Sequence, residues 1–170
     1  MVDGKFPMSP IFHIFVRGFE IINLLICSKI NIMPNNCLYC QRNQLQKDLM
    51  IEVCDLRVST LFLFKEQTYS GRCVVAYKDH DVELYQLNDE ELLAFMKDVN
   101  RVAFAMKKAF NPEKVNYGAY SDKLKHLHIH LAPKYVDGPD FGGTFTMNPQ
   151  KVYLSDVEYD EMIAKIKKEL

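Results

Sequence analysis

The chain has 170 residues, of which 48% are hydrophobic and 25% are charged, and its formal net charge is −1. This composition is that of a globular protein with enough apolar material for a core. The near-neutral charge argues against a protein that binds nucleic acid duplexes, which normally carries a basic surface. Five cysteines, an odd number that includes a C-x-x-C, indicate a reducing compartment and not a disulfide framework. We therefore expect a cytoplasmic protein.

The first 32 residues are predicted to be an extension of uncertain order. Their apolar part is interrupted by Arg17 and Glu20, so no run reaches the ~18 apolar residues that indicate a membrane span. A secretory signal is also not expected, because the start of the chain is not basic. Met33 opens a segment that is typical of a domain start. We predict an extension over 1–32, either a packed helix or a tail, and one domain over 33–170.

The domain begins with a compact turn that contains Cys37 and Cys40. Five segments that follow are rich in Leu, Ile, Val, Phe or Tyr and are bounded by turn residues, which predicts strands. The predicted strands span 49–54, 59–64, 73–77, 115–120 and 126–132.

One long helix is predicted over Asp89–Phe110, because apolar residues recur there at helical spacing. Asn88 and Glu91 are placed to form an N-terminal capping box, and Asn111-Pro112 ends the helix. Strands in series around one long helix predict an α+β fold, with an antiparallel sheet packed against that central helix.

The last 34 residues of the sequence are predicted to form a loop and then a helix. Glycines and prolines make 137–154 irregular, and loops at such positions often shape specificity. Three aromatic residues of this loop can either stack on a base or pack, and we expect packing: Phe141, Phe145 and Tyr153. The C-terminal helix begins after Ser155, has Glu158 as its capping-box partner, and runs toward the last residue.

The last predicted strand, 126–132, alternates three histidines with three aliphatic residues. The histidines are His126, His128 and His130. Because the side chains of a strand alternate between its faces, these rings should share one face, with second neighbours about 6.6 Å apart. The aliphatic residues share the other face, which can pack on the long helix. Clustered titratable groups on a rigid strand favour a functional site.

Two chemistries suit three imidazoles on one strand. All three can ligate a metal ion, as in a metallohydrolase. Alternatively, one neutral imidazole attacks phosphorus, with one ring nitrogen bare and the other held by an acceptor. Cys37 and Cys40 favour the second chemistry, because with His80 and His126 they complete a Cys2His2 set for structural zinc. That set leaves His128 and the last histidine of the strand available for catalysis.

The run 126–132 resembles the signature of the histidine-triad (HIT) family, most closely that of its bacterial members. The family pattern is His, apolar, His, apolar, His, apolar, apolar, and each position is matched. The C-x-x-C, the segment Lys78-Asp79-His80, the long helix and the triad also follow the family's order. The resemblance covers about 33–135, which is most of the chain.

The resemblance implies an α+β domain that binds nucleotides and is usually a homodimer. In the family, the middle histidine attacks an α-phosphate and forms a nucleotidyl-histidine intermediate, and that position is His128 here. The third histidine, His130, contacts the phosphate and, if protonated, would stabilise charge on its oxygens. Zinc-containing relatives hold one structural zinc per chain through positions that match Cys37, Cys40, His80 and His126.

The implied activity is hydrolysis of a nucleoside phosphoramidate or of a dinucleoside polyphosphate. A nucleotide-binding or signalling module with little turnover is the alternative. The loop at 121–125 lacks the Gly-Gln pair of many relatives, and its Lys123 and Lys125 are candidates for substrate binding through their charge. No clear counterpart of the acidic residue that often grips the ribose is found at 62–68.

Overall fold

The computed structural model describes residues 37–120 and 122–170, and the predicted extension over 1–32 lies outside these residues. The described part contains five strands and four α-helices. In chain order they are α1 (Leu38–Gln41), α2 (Gln44–Leu49), β1 (Met50–Asp55), β2 (Ser59–Phe64), β3 (Cys73–Tyr77), α3 (Asp89–Phe110), β4 (Lys114–Gly118), β5 (His128–Lys134) and α4 (Asp156–Glu169). None of the described helices has the length and apolarity that a membrane-spanning segment requires.

The five strands form one antiparallel sheet in the order β1-β2-β3-β5-β4. The last strand in sequence therefore lies inside the sheet, between β3 and β4. His130 is paired with Val74 of β3 and with Gly118 of β4, and His128 is paired with Ala76 of β3. This confirms the predicted α+β fold and places the second and third histidines of the triad on a rigid element.

One face of the sheet packs against α3 and α4 and forms the main core. From the sheet it receives Leu61, Val75, Ile129 and Leu131, and from the helices it receives Phe95, Val102, Met106, Tyr159 and Ile166. Complete burial of each such side chain stabilises the fold by about 1.5–3 kcal/mol. The aliphatic residues of the triad segment are thus committed to the core, and this packing fixes the register of the strand.

The opposite face of the sheet carries a second, smaller apolar cluster and the catalytic candidates. Phe62, Phe64, Val74 and Ala76 of the sheet pack there against Leu38 and Tyr39 of α1. This face also bears His128 and His130, because they alternate with the core residues along β5. Helix α1 therefore lies over the same face as the histidine row.

The long helix forms where its sequence predicts it. Asn88 accepts a hydrogen bond from the Glu91 amide, and the Glu91 side chain accepts one from the Asn88 amide. At the other end Asn111 adopts a left-handed conformation, with φ 49°, which asparagine tolerates well. The C-terminal helix has the predicted capping box between Ser155 and Glu158. The beginnings of both helices follow from local capping chemistry.

Several elements differ from the sequence prediction: the cysteine-containing turn is a short helix, and β4 ends at Gly118, two residues before the predicted end. Helix α2 includes Leu49, which was assigned to a strand, because Asn43 caps a short helix by accepting from the Gln46 amide. Strand β5 begins at His128, two residues later than predicted. Its pairing with β3 stops there because the Tyr77 carbonyl bonds the ring of His126, while the Leu127 amide donates to Asp81.

Candidate functional site

Helix α1 brings two thiols to one side of a single helical turn. Cys37 is its N-cap residue, and the Cys37 carbonyl accepts a hydrogen bond from the Gln41 amide at 3.0 Å. Arg42 ends the turn in a left-handed conformation with φ 46°. Residues three apart on a helix lie on the same face, so Cys37 and Cys40 can point toward a common position.

The two cysteines meet two histidines that come from distant parts of the chain. The donor atoms of Cys37, Cys40, His80 and His126 all lie within 4.8 Å of one another. His126 Nδ1 is 3.4 Å from the Cys37 Sγ and 3.6 Å from the Cys40 Sγ. His80 Nδ1 is 3.3 Å from the Cys40 Sγ and 3.3 Å from the His126 Nδ1.

The four separations of 3.3–3.6 Å match the edges of a tetrahedral zinc site. With zinc–sulfur bonds of about 2.3 Å and zinc–nitrogen bonds of about 2.0–2.1 Å, neighbouring donors lie about 3.3–3.8 Å apart. A thiolate and an unprotonated imidazole nitrogen both carry lone pairs, so four such donors at this spacing can enclose a cation. The cluster can bind a metal ion such as zinc.

The ring of His126 is held in the orientation that metal binding needs. Its Nε2 is 2.8 Å from the Tyr77 carbonyl oxygen, to which it donates, and this leaves Nδ1 unprotonated toward the cluster. Burial lowers the pKa of His126 to about 4, against the raising effect of the Tyr77 hydrogen bond. The ring of Tyr39 also stacks on it, with centroids 4.9 Å apart.

His128 is held by the backbone of the residue that enters the metal cluster. Its Nδ1 lies 2.6 Å from the His126 carbonyl oxygen and donates to it, because a carbonyl can only accept. The lone pair of the neutral ring is therefore on Nε2. Burial lowers the pKa of His128, although the hydrogen bond to the His126 carbonyl acts in the opposite direction. The lowered pKa favours the neutral form of the ring near pH 7.

His130 lies beside His128, with ring centroids 5.1 Å apart, and its other neighbour is a buried arginine. Nη2 of Arg72 is 3.2 Å from the His130 Nδ1. Burial, then the charge of Arg72, then His128 lower the pKa of His130 to about 2. These effects disfavour the protonated form of His130, because a fixed cation already occupies the position next to its ring.

Arg72 itself lies between two aromatic rings. Its guanidinium carbon is 4.4 Å from the centroid of Phe64 and 5.1 Å from that of Phe145. Burial lowers the pKa of Arg72 to about 10, while the carboxylate of Glu66 acts in the opposite direction, so the side chain stays a cation at neutral pH. Phe145 also approaches the ring of His130, with centroids 6.5 Å apart.

Comparison with known sequences then decides the family. The HIT domain family matches residues 51–137, slightly more than half of the chain, and the matched region contains the complete triad. The chain belongs to the HIT family. Membership fits a fold in which β5 presents His128 and His130 from the face opposite the core.

Three relatives illustrate the similarity of this HIT protein to known proteins. Adenosine 5'-monophosphoramidase HNT1 of Saccharomyces cerevisiae is 29% identical over 101 residues, which cover 58% of this chain and 62% of that protein. Protein hit of Bacillus subtilis is 27% identical over 89 residues, covering 49% and 61%. The solved structure of a histidine triad protein from Sinorhizobium meliloti superimposes with a TM-score of 0.70 at 19% identity, covering 75% of this chain and 95% of that chain.

These comparisons establish the fold and family of the HIT domain. At 19% identity, the structural likeness to the Sinorhizobium meliloti protein shows the fold alone. The chain spans 55% to 62% of the length of the curated relatives it matches.

The geometry of the HIT triad separates its three rings into different environments. His126 faces the cysteines through Nδ1, His128 bonds a carbonyl through the same atom, and His130 bonds Arg72. A metallohydrolase would need all three rings to share one ion. The metal-ligand cluster among residues 37–120 and 122–170 instead includes only the first histidine of the row.

The two lysines predicted to bind substrate lie near the metal cluster. Lys123 and Lys125 are exposed and line a cavity of about 330 Å³ together with Cys37, His80 and His126. Their charge is thus placed at one end of the histidine row. The positive charge at the other end comes from Arg72, which the sequence analysis missed.

The loop aromatics follow the packing expectation only in part. Phe145 is 8% exposed and packs against Tyr69, whereas Phe141 and Tyr153 are 45% and 60% exposed. The acidic residue of the 62–68 region, Glu66, is buried and accepts from the Lys151 and Val152 amides through one oxygen. Its contacts thus hold the loop.

Proposed function

We propose that this HIT protein is a nucleotide hydrolase that acts at an α-phosphate through a covalent nucleotidyl intermediate on His128. The observation that carries the proposal is the hydrogen bond from His128 Nδ1 to the His126 carbonyl, which leaves the Nε2 lone pair for attack. The relationship to a yeast protein named as an adenosine 5'-monophosphoramidase supports a nucleoside phosphoramidate as substrate. A dinucleoside polyphosphate is the second substrate class that this chemistry serves.

The reaction proceeds in two displacements at phosphorus. In the first, the Nε2 lone pair of His128 forms a nitrogen–phosphorus bond, and the bond from phosphorus to the amine or phosphate leaving group breaks. The leaving group departs with that electron pair and takes up a proton. In the second, water attacks phosphorus and loses a proton to solvent, the nitrogen–phosphorus bond breaks, and Nε2 recovers its lone pair as nucleoside monophosphate leaves. His130 contacts the phosphoryl oxygens throughout.

The proposed metal is one structural zinc per chain, held by Cys37, Cys40, His80 and His126. When bound, zinc would supply a cross-link between α1 and the start of β5, because four protein donors fill its tetrahedral shell. The thiols remain free cysteines, which suits a reducing, cytoplasmic setting. Elemental analysis of the reduced parent should give about one zinc per chain, and Cys37→Ser should lower this content. A parent without zinc would contradict the site.

A homodimer is proposed through β4 and α3. Strand β4 is the edge of the sheet and exposes Tyr117 at 52%, while α3 exposes Leu93 at 56% and Phe104 at 60%. Large exposed apolar side chains and an open strand edge are both features that a second copy can cover. Light scattering should give twice the chain mass for the parent and a single chain mass for Phe104→Glu. A monomeric parent would contradict the dimer.

The catalytic proposal is tested with His128→Ala and a matched control on the same strand. We expect His128→Ala to lower the turnover of adenosine phosphoramidate and diadenosine polyphosphate by about 10⁴-fold or more, as for loss of other nucleophiles. Ile129→Val perturbs the opposite face of β5 and costs about 0.5–1.5 kcal/mol, but it should retain activity. Acid quenching should trap nucleotide on the parent and none on His128→Ala.

Two outcomes would contradict this function. Turnover by His128→Ala within a few-fold of the parent would exclude His128 as the nucleophile. A parent that binds nucleotide and turns over neither substrate class would instead favour the alternative of a signalling module.

A further inference from the structure

Arg72 is the most completely buried charged side chain near the triad, with 0% of its surface exposed. Two of its nitrogens are committed to neighbours: Nη1 donates to the Met147 carbonyl at 2.5 Å, and Nη2 lies 3.2 Å from the His130 Nδ1. Its Nε has no hydrogen-bond partner among the described residues. No carboxylate of residues 37–120 and 122–170 forms an ion pair with it. A buried cation that no carboxylate pairs with directly, and that contacts a histidine of the triad, indicates a functional role.

The contact between Arg72 and His130 has one chemical consequence for the ring. A guanidinium group only donates hydrogen bonds, so the His130 Nδ1 must accept and cannot carry a proton. A neutral imidazole with an unprotonated Nδ1 carries its proton on Nε2. The ring of His130 therefore presents an N–H donor on the side away from Arg72.

We propose that Arg72 is a positioning residue of the HIT reaction: it holds His130 as a neutral Nε2–H donor toward the phosphoryl group at His128. This inference rests on the function proposed above. Arg72 does not touch the substrate. It acts through the ring of His130, and the positive charge behind that ring favours a phosphoryl group whose oxygens are negatively charged.

The aromatic rings on either side make this arrangement specific to arginine. Phe64 and Phe145 flank a planar guanidinium at 4.4 Å and 5.1 Å, which fixes the direction in which its N–H groups point. A lysine keeps the charge but has neither the planar face nor a second donor in a fixed direction. Arg72→Lys is therefore the matched variant that separates charge from orientation, and Arg72→Met removes both.

The proton position on His130 is the direct readout. Long-range ¹H–¹⁵N spectra of the zinc-loaded protein distinguish the two neutral tautomers, and His130→Gln identifies the signals of this ring. We expect only the Nε2–H form in the parent and a mixture of tautomers in Arg72→Met at neutral pH. A residue with a merely structural role would leave the tautomer of His130 unchanged.

Steady-state kinetics with adenosine phosphoramidate give the second readout. Arg72→Met should lower kcat by about 10²-fold with KM within a few-fold, comparable to the loss of one donor to a developing charge. Arg72→Lys should lie between the parent and Arg72→Met. Because Arg72 acts through His130, the double variant with His130→Gln should lose no more activity than His130→Gln alone.

The outcomes distinguish this inference from the function on which it rests. If activity depends on His128, but Arg72→Met and Arg72→Lys both keep the Nε2–H tautomer and a kcat within about 3-fold, only the inference is overturned. Additive losses in the double variant overturn it as well. If the parent shows no His128-dependent turnover, the proposed function fails first, and the catalytic role of Arg72 fails with it.

Discussion

At both ends of the histidine row an imidazole Nδ1 faces a position for positive charge, but the source of that charge differs between the two ends. At the first end, the His126 Nδ1 faces Cys37, Cys40 and the His80 Nδ1, which together can bind a metal ion. That end can take up a cation from solution. At the other end, the His130 Nδ1 faces the guanidinium of Arg72, a cation that the chain itself supplies. The source of the positive charge decides whether an imidazole becomes a metal ligand or a hydrogen-bond donor.

The largest expected effect concerns the end that depends on an external cation. Cys40→Ser, or chelation of the parent, should lower the free energy of unfolding by about 4 kcal/mol, the value for a ligand at about 1,000 times its dissociation constant. Urea unfolding of zinc-loaded protein measures this loss. The control is Cys54→Ser, because Cys54 is a partly buried thiol of β1 outside the cluster; it should cost about 1 kcal/mol. Equal losses for both variants would mean that the cluster holds no stabilising metal.

The end of the row at which Arg72 supplies the positive charge should lose stability and activity when an aromatic ring that packs on Arg72 is removed. Phe145→Leu removes one of the two rings that flank Arg72, which should cost about 1–2 kcal/mol of stability and lower kcat several-fold. Its zinc content should equal that of the parent. Phe141→Leu is the control from the same loop, since Phe141 is 45% exposed and should change stability by less than about 0.5 kcal/mol. Loss of zinc from Phe145→Leu would show that the two ends are not independent.

Tyr39 joins the two halves of the site and should show a smaller effect. Its ring contacts His126 at 4.9 Å and His128 at 5.0 Å between centroids. Tyr39→Leu should lose about 1 kcal/mol of stability and bind zinc more weakly, because aromatic pairs contribute about 0.5–1.5 kcal/mol. Tyr39→Phe keeps the ring and should resemble the parent in unfolding and zinc titrations. A Phe variant as weak as the Leu variant would assign the role to the hydroxyl group.

The smallest effect is expected for the lysines near the cluster. Lys123→Ala and Lys125→Ala remove exposed charges, so stability should change by less than about 0.5 kcal/mol. If these lysines attract an anionic substrate, KM should rise about 2- to 3-fold at low ionic strength, with kcat retained. The rise should vanish near 1 M salt, where the screening length is about 3 Å. A KM that is insensitive to both substitutions would remove them from substrate binding.

The parts of the fold that sequence predicts well are those fixed by neighbouring residues. Helix α3 begins and ends as predicted, because Asn88, Glu91 and Asn111 act within one turn of its ends. The start of β5 was predicted two residues early, because it depends on a contact between His126 and Tyr77, which are 49 positions apart. Such a contact competes with strand pairing in a way that no local pattern reveals.

The residues of the candidate site likewise divide into those that a local sequence pattern predicts and those that depend on distant contacts. The metal-ligand residues could be proposed from their types alone, since few other roles explain a C-x-x-C together with a spare histidine. Arg72 carried no comparable signal: it precedes a buried strand, and its partner His130 is 58 positions away. The role of Arg72 depends on Phe64 and Phe145, because these rings flank its guanidinium only after the sheet and the C-terminal loop have folded together.

His126 serves both halves of the site with different atoms. Its imidazole belongs to the cysteine cluster, whereas its main-chain oxygen anchors the ring of His128 at 2.6 Å. Every residue has a main-chain carbonyl oxygen, so the hydrogen bond to the ring of His128 does not require a particular side chain at position 126. The position of this oxygen depends on how the side chain of His126 is held. A change at the thiols that rotated this peptide unit would therefore also move the ring of His128.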